Sequence, residues 1–269
     1  MLLTLGLLEW RTSLRSAAWD LGQRYACVGK LAWPTSYPPH AKLRLRLTDH
    51  DTGEGVGGLR VRACSRRNRC DAVMAETTQA DGFATLSIDH DSYLTVEGRT
   101  NYPAQVILYS GTLLDRPNEV LRLTASSVLR SIQTSLSAPV VETHALVEAG
   151  VYDRAQRPAA GVRLEVWNAQ GDGYRYCTEC RIVYPGANGS PDATQTQFSA
   201  NADGPAWMVL AQRDVMFIAR EVATQRPISV LGPVSVRFGS IRLVLTPASV
   251  AQLASLPAGV RFGPPELRE

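Results

Sequence analysis

Ala80-Asp81-Gly82 runs directly into Phe83-Ala84-Thr85-Leu86-Ser87-Ile88, and Ala202-Asp203-Gly204 runs into Pro205-Ala206-Trp207-Met208-Val209-Leu210. Asp and Gly tolerate the backbone angles of a tight turn, and alternation of apolar and polar residues marks a strand with one face buried. The two phrases lie 122 residues apart (203 − 81), and so do Leu123-Thr124 and Leu245-Thr246 (245 − 123). Ser127-Val128 and Ser249-Val250 keep the same offset. The chain is therefore a tandem duplication. Upstream, Gly58-Leu59-Arg60-Val61 and Gly161-Val162-Arg163-Leu164 differ by 103 (161 − 58), so the second copy carries about 19 further residues (122 − 103) before its Asp-Gly turn.

The strand pattern extends outward from these turns. Residues 42–48 alternate strictly, placing Leu43, Leu45 and Leu47 on one face, and Asp51-Thr52-Gly53 supplies the next turn. Leu59, Val61 and Ala63 repeat the alternation, and further strands follow at 93–97, 104–109 and 118–123. Copy two runs in the same order: 145–152, 162–166, 207–210, 215–221, 228–236 and 240–245. Short strands with Gly, Pro, Asn and Asp between them, and no helical pattern separating consecutive strands, define an all-β chain of two tandem antiparallel β-sandwich modules. Short helices at 127–136 and 249–256 close the copies. The expected division is an N-terminal segment over 1–38, module 1 over 39–137, module 2 over 138–256 and an extended or frayed tail over 257–269. Each module is expected to hold its own core, so that a fragment from about Val140 folds alone.

Composition narrows the function classes. With 45% hydrophobic and 20% charged residues the chain is globular, and no apolar run approaches the length that spans a bilayer. The 28 basic residues are arginine except Lys30 and Lys42, and they are scattered rather than gathered into a stripe, which argues against a nucleic-acid surface. Met1 to Leu8 is apolar but lacks a basic region before it, and Glu9, Trp10 and Arg11 interrupt it, so it is a poor signal peptide as written. The alternative for residues 1–24 is an amphipathic helix carrying Leu7, Leu14, Ala18 and Leu21 on one side.

The strand, Asp-x-x-Thr-Gly turn and Gly-Gly-Leu-Arg-Val-Arg-Ala of residues 45–63, followed by Thr77-Thr78-Gln79-Ala80-Asp81-Gly82, resemble the carboxypeptidase regulatory-like modules of the transthyretin-like superfamily. Copy two is similar through Asp153, Arg157-Pro158-Ala159-Ala160-Gly161-Val162 and Asn201-Ala202-Asp203-Gly204. Tyr25 to Pro34, the Cys64 to Cys70 loop and Val236-Arg237-Phe238-Gly239-Ser240-Ile241 resemble uncharacterised two-module proteins of predatory or gliding soil bacteria of the myxobacterial kind. The resemblance covers about residues 25–248 and implies a transthyretin-like or immunoglobulin-like sandwich, export to the cell envelope or beyond, and a structural or binding role rather than catalysis.

Among chemical candidates, Cys64 and Cys70 bracket a hairpin and are expected to bridge in an exported protein, and Cys177 and Cys180 form either a local bridge or idle thiols; Cys27 is the odd cysteine and an alternative partner for Cys64 or Cys70. A Cys-x-x-Cys also suits redox or zinc chemistry, but neither a thioredoxin-like βαβ setting nor a second close pair accompanies it. Asp49-His50-Asp51 and Asp89-His90-Asp91 would offer carboxylate and imidazole ligands to a metal if folded together, and are otherwise two solvated turns. No Gly-x-Ser-x-Gly, His-Glu-x-x-His or phosphate loop occurs. Transthyretin-like hydroxyisourate hydrolases and catechol dioxygenases carry a C-terminal Tyr-Arg-Gly-Ser or a two-Tyr, two-His iron set, and Tyr102, Tyr109 and His144 match neither. Trp167, Tyr174, Tyr176 and Tyr184 gather around the insert of copy two, where aromatics stack on a glycan or anchor a protein partner, or else fill the core. The sequence thus points to a non-catalytic, exported surface-structural or adhesive protein without cofactor. A pair of carbohydrate-binding modules using those aromatics is the alternative, followed by a small hydrolase.

Overall fold

The computed structural model describes residues 25, 27, 28, 30, 41–65, 75–89, 91–115, 118–136, 144–153, 155, 157–171, 173–200, 204–237 and 239–262. The segment 1–24, Cys70, His90, Asp203 and the tail beyond Phe262, on which some sequence expectations fall, lie outside these residues. Copy one supplies β1 (Ala41–Asp49), β2 (Arg60–Ser65), β3 (Ala75–Thr77), β4 (Phe83–Ile88), β5 (Ser92–Val96), β6 (Gln105–Tyr109), β7 (Asn118–Leu123) and helix α1 (Ser126–Ser135). Copy two supplies β8 (His144–Val151), β9 (Val162–Gln170), β10 (Gly173–Tyr176), β11 (Ile182–Pro185), β12 (Pro191–Asp192), β13 (Ala206–Ala211), β14 (Arg213–Glu221), β15 (Pro227–Val236), β16 (Gly239–Leu245), α2 (Val250–Ala254) and α3 (Ala258–Phe262). The fold is mostly β, in several sheets.

The duplication is visible in the pairing. Copy one builds a sheet ordered β4-β1-β7, and copy two repeats it as β13-β8-β16; copy one builds β3-β2-β5-β6, and copy two repeats it as β10-β9-β14-β15. In both copies the first strand pairs antiparallel with the strand after the Asp-Gly turn and parallel with the last strand. The parallel pairs arise because the last strand returns only after the intervening strands have formed the facing sheet. Gly82 fits its turn because its φ is +84° and a Cβ there would lie 2.2 Å from the Leu47 carbonyl oxygen.

The copies do not stand side by side. β16 pairs parallel with β6, from Ser240 opposite Gln105 to Val244 opposite Tyr109, so the second sheet of copy one and the first sheet of copy two become one nine-stranded sheet. One face of this sheet packs on β4-β1-β7, where Leu43, Leu45, Leu47, Leu86 and Leu121 meet Val61, Leu94 and Ile107. A second core sets Val147, Ala149 and Leu243 against Leu164, Val166, Val215 and Phe217. The alternation of Leu43, Leu45 and Leu47 drives this layering, each buried leucine contributing roughly 1.5–3 kcal/mol.

Contacts across the duplication complete both cores. Val244 of β16 belongs to the first core, and Leu108 of β6, Tyr25 and Val28 belong to the second. Arg226 donates to the Tyr25 carbonyl oxygen at 3.0 Å, tying Tyr25 to copy two. Helix α1 lays Leu129, Ile132 and Leu136 on Leu146, Val183 and Trp207 of copy two. The expectation of an extended tail from Pro257 is corrected, because Ala258–Phe262 forms α3 and Val260 is buried against Trp167, Met216 and Ile218. Ahead of it, Ser249 and Gln252 cap α2 reciprocally: the Ser249 hydroxyl accepts the Gln252 N–H at 3.2 Å, and Gln252 Oε1 accepts the Ser249 N–H at 2.9 Å.

A fragment beginning at Val140 lacks Tyr25, Val28 and Leu108 and leaves one edge of β16 unpaired. It is expected to melt below the full chain in calorimetry and to self-associate in sedimentation velocity. A monomeric fragment with the full chain's melting temperature would show that the junction adds no stability.

Candidate functional site

The additional residues of copy two form β11 and β12 and lengthen the central sheet beyond β13. Of the predicted aromatic site, Trp167 is 4% exposed and Tyr184 3% exposed, so neither offers a ring face to a ligand. Strand parity explains this correction. Tyr184 points into the second core, meets Phe198 edge-on at 5.2 Å, and its hydroxyl oxygen accepts the Leu164 N–H at 2.9 Å; burial pushes its phenol pKa up. Trp167 points to the opposite face, under α2 and α3, with Tyr176 edge-on at 5.6 Å. Tyr174 and Tyr176 are half-buried on β10 and pack on the Trp167 cluster.

Beneath α3 lies a charge network that the sequence reading missed. Arg220 and Glu165 are both fully buried, with Arg220 Nε donating to Glu165 Oε1 at 2.7 Å and Nη2 to Oε2 at 3.0 Å. The same guanidinium donates to the carbonyl oxygens of Gln225 at 2.7 Å, Val260 at 2.7 Å and Arg261 at 3.1 Å, while Trp167 Nε1 donates to Glu165 Oε2 at 3.1 Å. Arginine thereby satisfies the last carbonyls of α3 with a geometry no single lysine could reproduce. The available signal was a charged residue within strands that are apolar on both faces: Glu165 shares the parity of Trp167, and Arg220 that of Met216 and Ile218, on the face away from the second core. Truncating either partner should cost about 3–5 kcal/mol in urea unfolding, whereas the paired replacement Glu165→Leu with Arg220→Met should recover much of that loss.

The two Asp-His-Asp triplets do not converge. Ala41 pairs with Ile88 and Arg46 with Phe83, so Asp49 and Asp89 sit at opposite ends of the β1–β4 pair, roughly 30 Å apart at ~3.3 Å per residue. His90 lies outside the described residues. Asp49 instead builds a turn: Oδ1 accepts the N–H groups of Asp51 at 3.0 Å and Thr52 at 2.9 Å, and Oδ2 accepts the Tyr102 hydroxyl at 2.7 Å. His50 Nδ1 lies 3.0 Å from Asp51. Burial pushes the Asp49 carboxyl up, but the Thr52 N–H and the Tyr102 hydroxyl outweigh it and hold the group below its ordinary range. Burial and then the Asp49 carboxylate push Tyr102 up to about 12.

These shifts define a pH window. Asp49 contributes stability above the ordinary carboxylate range, lost as pH falls through its lowered value; Tyr102 contributes stability below about 10, lost as pH rises through about 12. Ring-carbon NMR of labelled tyrosine should show Tyr102 resisting ionisation to about 12, and Asp49→Asn should move its midpoint towards about 10. A Tyr102 midpoint unaffected by Asp49→Asn would contradict the pairing.

Among the described residues, one group of three ligating side chains lies close enough to hold a metal: Cys177, Glu179 and Cys180. Cys177 and Cys180 are joined in a disulfide, so neither presents a thiolate there. Cys64 is also disulfide-bonded, its expected partner Cys70 lying outside the described residues, and Cys27 is a free thiol.

A cleft of about 490 Å³ lies where the copies meet, lined by Val120 and Arg122 of β7 from copy one and by Gly150, Tyr152, Pro205 and Arg242 from copy two. No strand pairs with the second edge of β7 among the described residues, and Val120 is 60% exposed. Burial disfavours the charge of Arg242; Glu148, whose Oε1 lies 3.6 Å away, restores it, and Arg242 also donates to the Arg122 carbonyl oxygen.

Neither a protein-family model nor a curated protein matches this sequence. Among solved structures, the chain is similar to a putative adhesin from Bacteroides ovatus, at 8% identity and TM-score 0.26, over 77% of this chain and 88% of that one. It is similar to the shaft pilin of Lactobacillus rhamnosus GG at 9% identity and TM-score 0.21, over 79% of this chain and 98% of that one. A third likeness, to the Bacillus anthracis TIE protein, has 8% identity and TM-score 0.25 and covers 77% of this chain but 34% of that one, so the chain spans about a third of that protein's length. The resemblance to bacterial adhesins and pilins is distant.

Proposed function

We propose that the chain is a non-catalytic structural or adhesive element of an exported surface, built from carboxypeptidase regulatory-like modules of the transthyretin-like class. The observation that carries this reading is the junction: a parallel strand pair makes two sandwiches into one stiff body, with side chains of each copy completing the other's core. Load-transmitting and presenting elements need such continuity, whereas a catalytic site needs a convergent nucleophile, base and orienting group. The conspicuous buried ionic groups, Glu165 with Arg220 and Glu148 with Arg242, are engaged with each other and with backbone carbonyls. Disulfide bonding at Cys64 and at Cys177–Cys180 supports export, since such bonds persist in oxidising compartments.

In this reading the junction cleft is the contact surface for a protein or glycan, and half-exposed Tyr174 and Tyr176 are the part of the aromatic group that can still meet a sugar. Biotinylation of intact cells of the producing organism with a membrane-impermeant reagent tests the location. Labelling without lysis is expected, and labelling only after complete lysis overturns the proposal. On a polysaccharide array, Arg122→Glu should reduce binding if the cleft is the contact, whereas a loss confined to Tyr174→Ala would move the site to β10.

A further inference from the structure

The Cys177–Cys180 bridge closes the turn between β10 and β11 and leaves its two sulfurs in unequal surroundings. Cys177 is buried in the second core, 2% exposed, whereas Cys180 packs on the edge of the same core and is partly exposed, between Glu179 and Arg181. On the buried side, Arg213 at the start of β14 holds Nη1 3.9 Å from Cys177 Sγ. The same nitrogen donates to Glu179 Oε1 at 2.8 Å and to Asn168 Oδ1 at 3.2 Å, and that donation holds the Glu179 carboxyl below its ordinary range. A neutral disulfide sulfur gains little from a guanidinium at this distance. A thiolate gains much, because a nearby cation stabilises the charged form.

We propose that Cys177–Cys180 is a thiol–disulfide exchange site that takes electrons from an external dithiol, with Cys180 as the attacked sulfur and Cys177 as the leaving group. The dithiol, deprotonated at one sulfur, attacks Cys180 Sγ; a new S–S bond forms to Cys180, the Cys180–Cys177 bond breaks, and its electron pair leaves on Cys177 as a thiolate beside Arg213. The second sulfur of the dithiol, also deprotonated, then attacks its partner sulfur and releases Cys180 as a thiolate. Two electrons pass to the cysteine pair, the dithiol becomes a disulfide, and the two protons it gave to solvent balance those the cysteines take up on becoming thiols. Access selects the attacked sulfur, and stabilisation of the leaving thiolate sets the rate. Reduction cuts the covalent tie between β10 and β11, so the same step loosens the segment that copy two adds to the sandwich. The inference does not depend on the surface role proposed above, because it rests on the turn and Arg213 alone.

The test uses the oxidised full-length protein and 2-mercaptoethanol, with acid quenching at early times to trap the first mixed disulfide before Cys177 recloses the ring or a second thiol releases Cys180. After acid quenching and alkylation, peptide mass mapping should place the mercaptoethanol adduct on Cys180 and the alkyl group on Cys177. Arg213→Gln should slow adduct formation by about three- to tenfold, with Arg213→Lys retaining most of the rate, and Glu179→Gln, which removes the competing carboxylate, should quicken it. An adduct on Cys177, an even distribution between the two sulfurs, or equal rates in wild type and Glu179→Gln overturns the proposal. The Glu179 arm decides by itself if Arg213→Gln perturbs the fold, since Glu179 is an exposed side chain in a turn.

Discussion

The pairing of β6 with β16 is the constraint from which the rest of the architecture follows. A sandwich module has two sheets and therefore several open edges, each a row of unpaired backbone donors and acceptors. Joining one edge of each copy removes two such rows at once and turns what would be four separate sheets into three. It also fixes which faces are left: copy one stacks on one side of the shared sheet and copy two on the other. Helix α1 then has an apolar surface to cover on its neighbour, where Leu146, Val183 and Trp207 await it. Its counterpart α2 is drawn back onto its own copy: just ahead of it, the Ala248 N–H donates to the Ile228 carbonyl oxygen at 2.7 Å, on the strand of copy two that corresponds to β6.

The two copies have diverged most instructively in their ion pairs. In copy one, Arg62 on β2 meets Glu97 just past β5, and both remain partly exposed. The corresponding positions of copy two hold Glu165 on β9 and Arg220 on β14, with the charges exchanged and both side chains fully buried. The exchange has a physical reason. Once α3 covers this face, the group beneath it must supply donors to helix-end carbonyls, which a guanidinium can do and a carboxylate cannot. Burial then requires that every donor of the arginine be engaged, and Glu165, Gln225, Val260 and Arg261 between them do so.

Much of the fold was legible because its signals are local. The alternation through Leu43, Leu45 and Leu47, the Asp81-Gly82 turn and Ser249 before its helix each depend on neighbours in the chain, and the 122-residue offset needs only the sequence compared with itself. The edge-to-edge junction was not, since β6 and β16 are ordinary apolar strands whose partner is chosen by tertiary packing. The site was less legible still. Trp167 and Tyr184 have the composition of a binding surface, and only their parity on β9 and β11, which the register fixes, sends one beneath the helices and the other into the core. Asp49 and Asp89 repeat a triplet, yet antiparallel pairing of β1 with β4 sends equal motifs to opposite ends.

Both ends of the described chain are held by copy two: Tyr25 and Val28 sit in its core and α3 is latched to Arg220, so copy one is an excursion from the second core that touches it again through Leu108 of β6 before rejoining it at β8. Topologically it is an inserted loop rather than the first bead on a string. If copy one opens locally, its chain stays closed on itself, and because closure entropy rises only slowly with length, copy two bears little additional burden. Tension applied through Tyr25 or through α3 would therefore meet the core of copy two before that of copy one, although copy one comes earlier in the sequence.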